Sequence, residues 1–406
     1  MRFIYLDTGL RTELGHHVVF CRNIITECRA REISTRVFAH REITKELASE
    51  LGAVGFFRAY TYNSYDSDPI ISWLTSFQRV AATTREDLQG LAGLDRGDIV
   101  YMNWAWPAQL MALMNWLAAL PPERQPTVFV EVGADPGLEA DTTPGRRAKF
   151  RPRDPRLDPR ALLYRYAVRD VAPSATPRLH LLAFDRTTAS AFQDLLDRPV
   201  RALPIPLAAA RTPRSRVGKR PITISVLGHQ RPGKGYVLMP DIAAALLKDG
   251  RDIDLLVQNA EPSLMAAAQA ALRRIAGEND RLSLEERSAG PRLWAELLAR
   301  SDLVLCPYSP TAYLFAHSSI VSESLANAIP VVVPAQTAPA SLLEQWGSPG
   351  VTFQSFNALS IAEAVKGAVA DFDRYAQRAH EVAQRWDQSQ GPARLVDAFV
   401  GIAGTA

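Results

Sequence analysis

Cysteine is scarce in this 406-residue sequence, which contains only Cys21, Cys28 and Cys306. Their spacing matches neither a zinc site nor a redox motif, so recognisable sites of both kinds are excluded. Reduced thiols, as in a cytosolic protein, are the simplest interpretation. The spacing of Cys21 and Cys28 allows them to share one helix face, where a pair of packed thiols is favoured over a pair of metal ligands.

Long apolar runs and a strong charge of one sign are also missing. No stretch is apolar enough to span a bilayer, and the first residues, MRFIYLDTG, resemble a strand and not a signal peptide. The net charge is only +3, which gives a nucleic-acid function no support. We therefore expect a cytoplasmic protein whose contact with a membrane would be peripheral, at the inner face.

Two familiar glycine motifs are absent. Gly9 and Gly15 lie six residues apart and do not form the dinucleotide-binding fingerprint. The loop Gly228 to Gly235 (GHQRPGKG) lacks the ending of a Walker loop, but it places Arg231 and Lys234 three residues apart after a predicted strand. Two cations at this position can neutralise a diphosphate and stabilise its departure, because negative charge grows on the β-phosphate as the bond breaks.

What is present is a repeated alternation of short apolar runs with helical patterns. At 406 residues, two domains are the natural expectation. The alternation predicts an α/β fold in which helices cover both faces of parallel sheets. The predicted strands are Arg2–Leu6, Asp98–Asn103, Thr127–Val132, His180–Phe184, Val200–Ile205, Ile222–Leu227, Ile253–Gln258, Asp302–Pro307 and Ile329–Pro334.

The stretch Leu207 to Pro221 has no periodicity and is rich in Arg, Pro and Ser, which predicts a linker. We therefore expect a first domain over residues 1–208, a linker over 209–221 and a second domain over 222–390. The remaining residues, 391–406, form a predicted helix that we expect to cross back to the first domain.

The second half has its candidate site between two predicted strands, in the segment Tyr308 to Pro334. Ser318 or Ser319 offers an N-cap for one helix, and Glu323 falls in its second turn. A loop that follows a strand and opens a helix is where open α/β sheets bind ligands, and the helix start favours phosphate. Taken alone, Glu323 is better explained as a glutamate that faces water or caps a nearby N–H.

The first half has candidates at the predicted carboxyl edge of its sheet. Asn103, Trp104, Glu131 and Asp135 all follow or end predicted strands, where a substrate can lie. Each alone is compatible with ordinary loop chemistry, and only their coincidence indicates a site. His16 and His17 lie at a predicted helix entrance, where a capping role and a role in the cleft both remain open.

Two further segments have unusual composition. Asp66-Ser67-Asp68 has a spacing that some transferases use for a divalent metal, but it precedes a proline in a turn-like stretch and is interpreted as a turn. Arg146 to Arg169 carries nine Arg or Lys residues against Asp154 and Asp158, so 9 − 2 = +7. This segment predicts either a site for an anionic acceptor, such as a phosphate-linked lipid, or contact with an acidic membrane surface; a solvated loop is the alternative.

Three separated motifs, ITISVLGHQRPGKG, LLARSDLVLCPYSP and SESLANAIPVVVP, occur in order over about Ile222 to Pro334. Together they resemble the donor domain of the retaining glycosyltransferases of the GT-B fold that use nucleotide sugars, especially glycosyltransferase family 4. The first half resembles the acceptor domain more loosely, through its glycine loop and through DIVYMNW, AFDRTTASAF and ALPIPLA. The resemblance implies two Rossmann-like domains with parallel sheets facing across a cleft.

The resemblance also implies roles for individual residues. Arg231 and Lys234 match the basic pair that binds the donor diphosphate and stabilises its departure. Glu323 matches the second acid of the two-glutamate motif, which accepts hydrogen bonds from the ribose. The remaining implied donor-binding residues are Gly15, Ser318, Ser319 and Tyr308.

Two positions depart from the family pattern. Phe315 occupies the position of the first glutamate, which binds the donor sugar, so a donor with a less polar edge, such as a deoxysugar, is compatible with the sequence. Asn103 lies near a position where many relatives have a histidine. Both departures are compatible with altered specificity and with lost activity.

The implied reaction is transfer of a hexose or deoxyhexose from a nucleoside-diphosphate sugar to a hydroxyl, with retention and without an essential metal or cofactor. The acceptor is a glycan, a lipid-linked molecule or a small molecule. Two alternatives remain open: a GT-B epimerase or hydrolase of nucleotide sugars, and a non-catalytic protein that binds them.

Overall fold

The computed structural model describes residues 1–13, 15–61, 70–133, 135–141, 149–210, 213–248, 252–260 and 265–405. The chain divides into two compact units. The first unit comprises Met1–Pro206 together with Pro392–Ala406, and the second comprises Leu207–Gly391. Asp66 and Asp68, like Arg146 and Arg147, lie outside the described residues.

The first unit is built on a seven-stranded sheet in which every pairing is parallel, in the order β3-β2-β1-β4-β5-β8-β9. Two further strands, β6 and β7, form a separate antiparallel hairpin. The strands are β1 (Arg2–Asp7), β2 (Ser34–His40), β3 (Ala53–Phe57), β4 (Ile99–Ala105), β5 (Thr127–Val132), β6 (Leu138–Asp141), β7 (Lys149–Pro152), β8 (Leu179–Ala183) and β9 (Val200–Ala202).

The helices of the first unit pack against this sheet through one apolar stripe each. In α1 the buried stripe includes Cys21, Ile24 and Cys28, so both thiols are packed in the core and are not ligands. In the last helix, Phe399 packs against Phe129 with ring centroids 4.5 Å apart. The helices are α1 (His16–Ala30), α2 (Lys45–Leu51), α3 (Ile70–Gln89), α4 (Pro107–Ala118), α5 (Arg160–Arg169), α6 (Arg186–Leu196) and α14 (Gly391–Thr405).

The second unit contains a six-stranded sheet, also with parallel pairings throughout, in the order β12-β11-β10-β13-β14-β15. Its strands are β10 (Ile222–Val226), β11 (Ile253–Gln258), β12 (Leu282–Glu285), β13 (Leu303–Leu305), β14 (Val331–Pro334) and β15 (Gly350–Phe353). Its helices are α7 (Met239–Leu247), α8 (Ala266–Glu278), α9 (Pro291–Arg300), α10 (Ser319–Ala326), α11 (Ala338–Gln345), α12 (Ala358–Ala370) and α13 (Phe372–Ser389). The prediction of an α/β fold with parallel sheets is confirmed.

One predicted loop is part of a strand. Trp104 was expected to begin the loop after β4, but β4 continues to Ala105. The pairing of β4 with β5 shifts register between Met102 and Ala105, and Trp104 has a φ of 59°. The irregularity is a bulge, which re-aims side chains at the end of a strand.

The described part of the arginine-rich segment is a solvated loop only between β7 and α5, and ion pairs hold it. Arg153 lies 2.9 Å from Asp135 and 2.7 Å from Asp158, and Arg160 contacts the same two carboxylates at 3.0 and 2.6 Å. The segment also contains the whole of α5. Asp135, expected near an acceptor, is therefore engaged in holding this segment in place.

Asp135→Asn is expected to lower the free energy of unfolding by about 2 kcal/mol, because it leaves two half-buried guanidinium groups with a single shared acid. Urea denaturation measures the change. Asp154→Asn is the matched control, since Asp154 pairs with the largely exposed Arg156, and it should change stability little. Equal stability of Asp135→Asn and the wild type would show that the network does not hold the segment.

In the part of the chain described here, no helix combines the length and apolar character needed to cross a membrane.

Candidate functional site

The basic loop of the second unit, Gly228 to Gly235, follows β10 and packs against the segment after β13. A 3-10 turn covers Pro232–Lys234, and Gly235 follows with a φ of 68°. A Cβ at Gly235 would lie 1.7 Å from the Pro307 carbonyl oxygen, so only glycine fits there. The N–H of Ser309 also donates to the Gly233 carbonyl at 3.0 Å. The loop is thus held against the neighbouring strand end by backbone contacts.

The Lys234 amine lies beside the first turn of α10. Lys234 Nζ and Ile320 Cδ1 lie 2.7 and 2.6 Å from the point that a Cβ on Gly228 would occupy. The pKa of Lys234 is lowered to about 8, chiefly by burial and in smaller part by Arg231, against an opposing effect of Cys306. The amine is therefore mainly cationic at pH 7 and poorly solvated, a state that an anionic ligand stabilises.

The start of α10 is held by hydrogen bonds. Ser318 is its N-cap, and its hydroxyl accepts from the Val321 N–H at 3.4 Å. The Tyr308 hydroxyl lies 3.1 Å from Ser318 Oγ, and the Tyr308 ring stacks on Tyr313 at 3.9 Å. Ser319 is the first helical residue. Tyr308 is buried, and Lys234 Nζ lies 5.9 Å from the centroid of its ring, so Tyr308 joins the cap to the basic loop.

Glu323 lies one turn further along α10 and is half-buried. The indole N–H of Trp294, on α9, donates to Glu323 Oε2. Burial raises the pKa of Glu323 to about 7, against the opposing effect of this hydrogen bond. The carboxylate keeps a second oxygen for another donor. Sequence patterns do not indicate Trp294, because it lies 29 residues before its partner.

Phe315, at the position of the sugar-binding acid, is buried. Arg231 is exposed and precedes the 3-10 turn that carries Lys234. The second unit therefore brings together Arg231, Lys234, Ser318, Ser319 and Glu323 around one loop and one helix, with an apolar residue at 315.

If this loop and α10 bind a nucleotide, as the resemblance implies, Gly228→Ala is expected to weaken that binding at least tenfold; it is also expected to lower the free energy of unfolding by about 1–3 kcal/mol. The added methyl group meets Lys234 Nζ and Ile320, and the φ of 95° at this position is unfavourable for alanine. Isothermal titration calorimetry and chemical denaturation measure the two effects. Gly277→Ala, on a helix with open space around the position, is the control. Unchanged nucleotide affinity in Gly228→Ala would exclude the proposed position of the amine.

A second cluster lies in the first unit, where β1 and β4 end at the same edge of the sheet. His17 Nδ1 is 2.9 Å from both oxygens of Asp7, and the Asn103 amide donates to Asp7 Oδ2 at 2.8 Å. The Gly9 N–H donates to Asp7 Oδ1 at 2.7 Å. All four groups belong to buried or nearly buried positions. Asp7 was not predicted, and it joins two predicted residues, His17 and Asn103.

Glu131 is buried on the neighbouring strand β5. The Tyr101 hydroxyl donates to Glu131 Oε2 at 3.2 Å and also lies 3.2 Å from Asn103 Oδ1. Burial raises the pKa of Glu131 well above its usual value, which favours the neutral carboxyl over the carboxylate. The bulge residue Trp104 contributes a backbone hydrogen bond to Glu131 and packs its ring 4.8 Å from His16.

Gly15 and the two histidines begin α1. Gly15 is the N-cap with a φ of 87°, and a Cβ there would meet open space. His16 and His17 stack with ring centroids 4.3 Å apart. Both histidines lie in the first helical turn and neither caps α1 through its side chain. In the residues described, no three His, Cys, Asp or Glu side chains gather as metal ligands would.

No protein-family model matches the sequence, and no curated relative matches it. Solved structures do match it over its length. HepE of Anabaena in complex with UDP is 13% identical with a TM-score of 0.62, and the match covers 100% of both chains.

Two further solved structures match the chain over nearly its whole length. Sucrose-phosphate synthase of Thermosynechococcus elongatus is 10% identical with a TM-score of 0.64, and 100% of each chain is covered. WaaG, a glycosyltransferase of lipopolysaccharide biosynthesis, is 14% identical with a TM-score of 0.62, and 98% of this chain and 100% of that one are covered. At these identities the likeness concerns the fold. The chain has the GT-B fold of glycosyltransferases.

Proposed function

We propose that the protein transfers a sugar from a nucleoside-diphosphate donor to a hydroxyl acceptor. The observation that carries the proposal is the Lys234 amine, which lies beside the first turn of α10 in a poorly solvated position. A cation and a helix N-terminus directed at one place form a site for phosphate. The same site stabilises the negative charge that develops on the departing diphosphate during glycosyl transfer.

The other residues of this site would orient the nucleotide-sugar donor. Arg231 is exposed and free to contact the diphosphate from the solvent side, and the backbone at Ser318 and Ser319 offers N–H donors. Glu323 accepts hydrogen bonds from the ribose hydroxyl groups through the oxygen that Trp294 leaves available. HepE has been solved with UDP and with UDP-glucose, so uridine diphosphate is the first nucleotide to test.

We further propose that the anomeric configuration is retained and that no metal is needed. Lys234 and Arg231 together provide the positive charge that a divalent ion would otherwise contribute. With the buried Phe315 at this position, the carboxylate that would bind sugar hydroxyl groups is missing, which favours a hexose with a deoxygenated edge. Proton NMR of the product gives the configuration directly, and EDTA tests the need for a metal.

The acceptor is proposed to bind to the first unit. His16, His17, Asn103, Trp104 and Glu131 gather at the carboxyl edge of its sheet, whereas Asp135 is engaged with arginine. A glycan, a lipid-linked molecule or a small molecule with a free hydroxyl suits this role. Arg151, Arg156 and Arg169 are exposed but pair with Glu139, Asp154 and Asp170, so contact of the segment Arg146 to Arg169 with an acidic membrane from the cytoplasmic side would have to compete with these surface pairs.

A thermal-shift screen against UDP, GDP, dTDP, ADP and CMP and their sugar conjugates, with EDTA present, tests the donor site. A ligand that binds only the native state raises the melting temperature. We expect a shift with one nucleoside diphosphate in the wild type and its loss in Lys234→Met, whereas Lys248→Met, at the exposed end of α7, behaves as the wild type. No shift with any nucleotide at millimolar concentration contradicts the proposal.

A second function is favoured by one observation, the buried phenylalanine at position 315. A protein that binds nucleotide sugars without transferring them needs no sugar-binding acid, and an epimerase or hydrolase releases product without an acceptor. Turnover of the identified donor with and without added acceptors separates the three functions. Binding without turnover under any condition establishes the non-catalytic protein.

A further inference from the structure

A cavity of about 330 Å³ opens in the first unit, apart from the Asp7 cluster. It lies where β2 and β3 end, between the loops that follow β1, β2 and β3 and the side of α3. Its lining is cationic and aromatic, and its chemistry-bearing residues are Arg11, His40, Glu42, Arg58, Tyr60 and Arg79. The carboxyl edge of a parallel sheet is where such folds bind ligands, and the volume suits a monosaccharide-sized molecule.

The charges of the lining are unequal. Three guanidinium groups face one carboxylate, that of Glu42. Arg11 pairs with Glu42 at 2.6 Å, and Arg58 pairs with Glu86 and Asp87 at 2.8 and 2.6 Å. Arg79 has no acidic partner among the residues that the structure describes. One guanidinium is therefore available to a ligand, and its planar fork matches a phosphate or a carboxylate.

The neutral groups add directed contacts. His40 Nδ1 accepts the Glu42 N–H at 3.2 Å, so the neutral ring carries its proton on Nε2 as a donor. Burial lowers the pKa of His40, and Arg11 lowers it further, which keeps the ring neutral at pH 7. Arg11 also lies over the Tyr60 ring, 4.6 Å from its centroid, which fixes the edge of the cavity.

We propose that this cavity binds the anionic group of a sugar acceptor, a phosphate or a carboxylate, with Arg79 as its principal contact. Only the identification of the ligand as an acceptor rests on the proposed glycosyl transfer. The anion site itself belongs to the first unit, whatever reaction the protein catalyses. It replaces the arginine-rich segment as the candidate for an acidic substrate, because Arg153 and Arg160 of that segment are already paired with carboxylates.

Calorimetric titration of the full chain with glucose 6-phosphate, glucuronate and glucose tests the proposal. We expect at least one anionic sugar to bind at least tenfold more tightly than glucose, and Arg79→Gln to lose at least tenfold of that affinity. Arg85→Gln is the matched control, because Arg85 is exposed on the same helix and does not line the cavity. The two anionic arms tell a phosphate site from a carboxylate site. The proposal is overturned if glucose binds as tightly as the anionic sugars, or if Arg79→Gln binds the anionic sugar as tightly as the wild type does.

The donor site also attracts phosphate, so the titrations are repeated with Lys234→Met. Binding of the anionic sugar that survives Lys234→Met and is lost in Arg79→Gln supports the cavity, even if no nucleotide binds and the proposed function fails. Binding that is lost in Lys234→Met and kept in Arg79→Gln places the anion at Lys234 and contradicts the proposal. Arg79→Lys, which keeps the charge, should retain part of the affinity.

Discussion

Lys234→Met is expected to lower kcat for sugar transfer about a hundredfold or more, the usual effect of removing a group that stabilises charge in a transition state. The fold should survive, because the cation is destabilised by burial: the pKa of Lys234 is lowered to about 8 from its usual value near 10.5. A neutral side chain at this position therefore stabilises the native state or leaves it unchanged. Steady-state kinetics and thermal denaturation measure the two effects, with Lys248→Met as the control.

The same amine predicts a pH profile. Since kcat/KM reports groups of the free enzyme, its alkaline limb should fall near pH 8, where the Lys234 amine loses its proton. Lys234→Arg, which stays charged, should lose this limb even if its overall rate is lower. An unchanged alkaline limb in Lys234→Arg, or full activity of Lys234→Met, would remove the residue from the chemistry.

Glu323→Gln is expected to weaken nucleoside diphosphate binding about tenfold, because a charge-assisted hydrogen bond to the ribose becomes a neutral one. The decisive comparison is between UDP and its 2′-deoxy analogue. In the wild type the missing hydroxyl should cost affinity, whereas in Glu323→Gln the two nucleotides should bind nearly alike, as a double-mutant cycle requires for coupled partners. Equal discrimination in both proteins would return Glu323 to a purely structural role.

Stability should respond to pH through the same residue. The pKa of Glu323 is raised to about 7 in the native state from 4.5, so between these values the native state binds more protons than the unfolded chain. The free energy of unfolding of the wild type should therefore fall by about 1 kcal/mol more than that of Glu323→Gln between pH 6 and pH 8. Glu344→Gln, at an exposed site on α11, should follow the wild type. Parallel curves for all three proteins would contradict a raised pKa at Glu323.

The sequence predicts elements well where a local pattern decides them. The strands expected at Thr127–Val132 and Ile253–Gln258 coincide with β5 and β11, because a continuous apolar run bounded by turns is characteristic of a strand buried on both faces. The N-cap at Ser318 is confirmed for a similar reason, since capping depends on residues only a few positions apart. The bulge at Trp104 depends on the register with β5 and has no local signal.

Site residues are less predictable, because their partners come from distant parts of the chain. Asp7 meets Asn103, 96 residues away, only because β1 lies next to β4 in the sheet. The cavity at Arg79 combines three loops and one helix in the same way. The net positive charge of the arginine-rich segment was a misleading signal for an anion site. A count of charges along the chain does not show that Arg153 and Arg160 share two acids.

The contact between Gly235 and the Pro307 carbonyl has a consequence for the thermodynamics of binding. A loop that is already fixed by backbone packing loses little conformational entropy when a ligand arrives. The loop carrying Lys234 should therefore show slow amide hydrogen exchange before any nucleotide is added. Its affinity for diphosphate would then arise from preorganisation, and substitutions that loosen this contact would reduce affinity without touching a single group that meets the ligand.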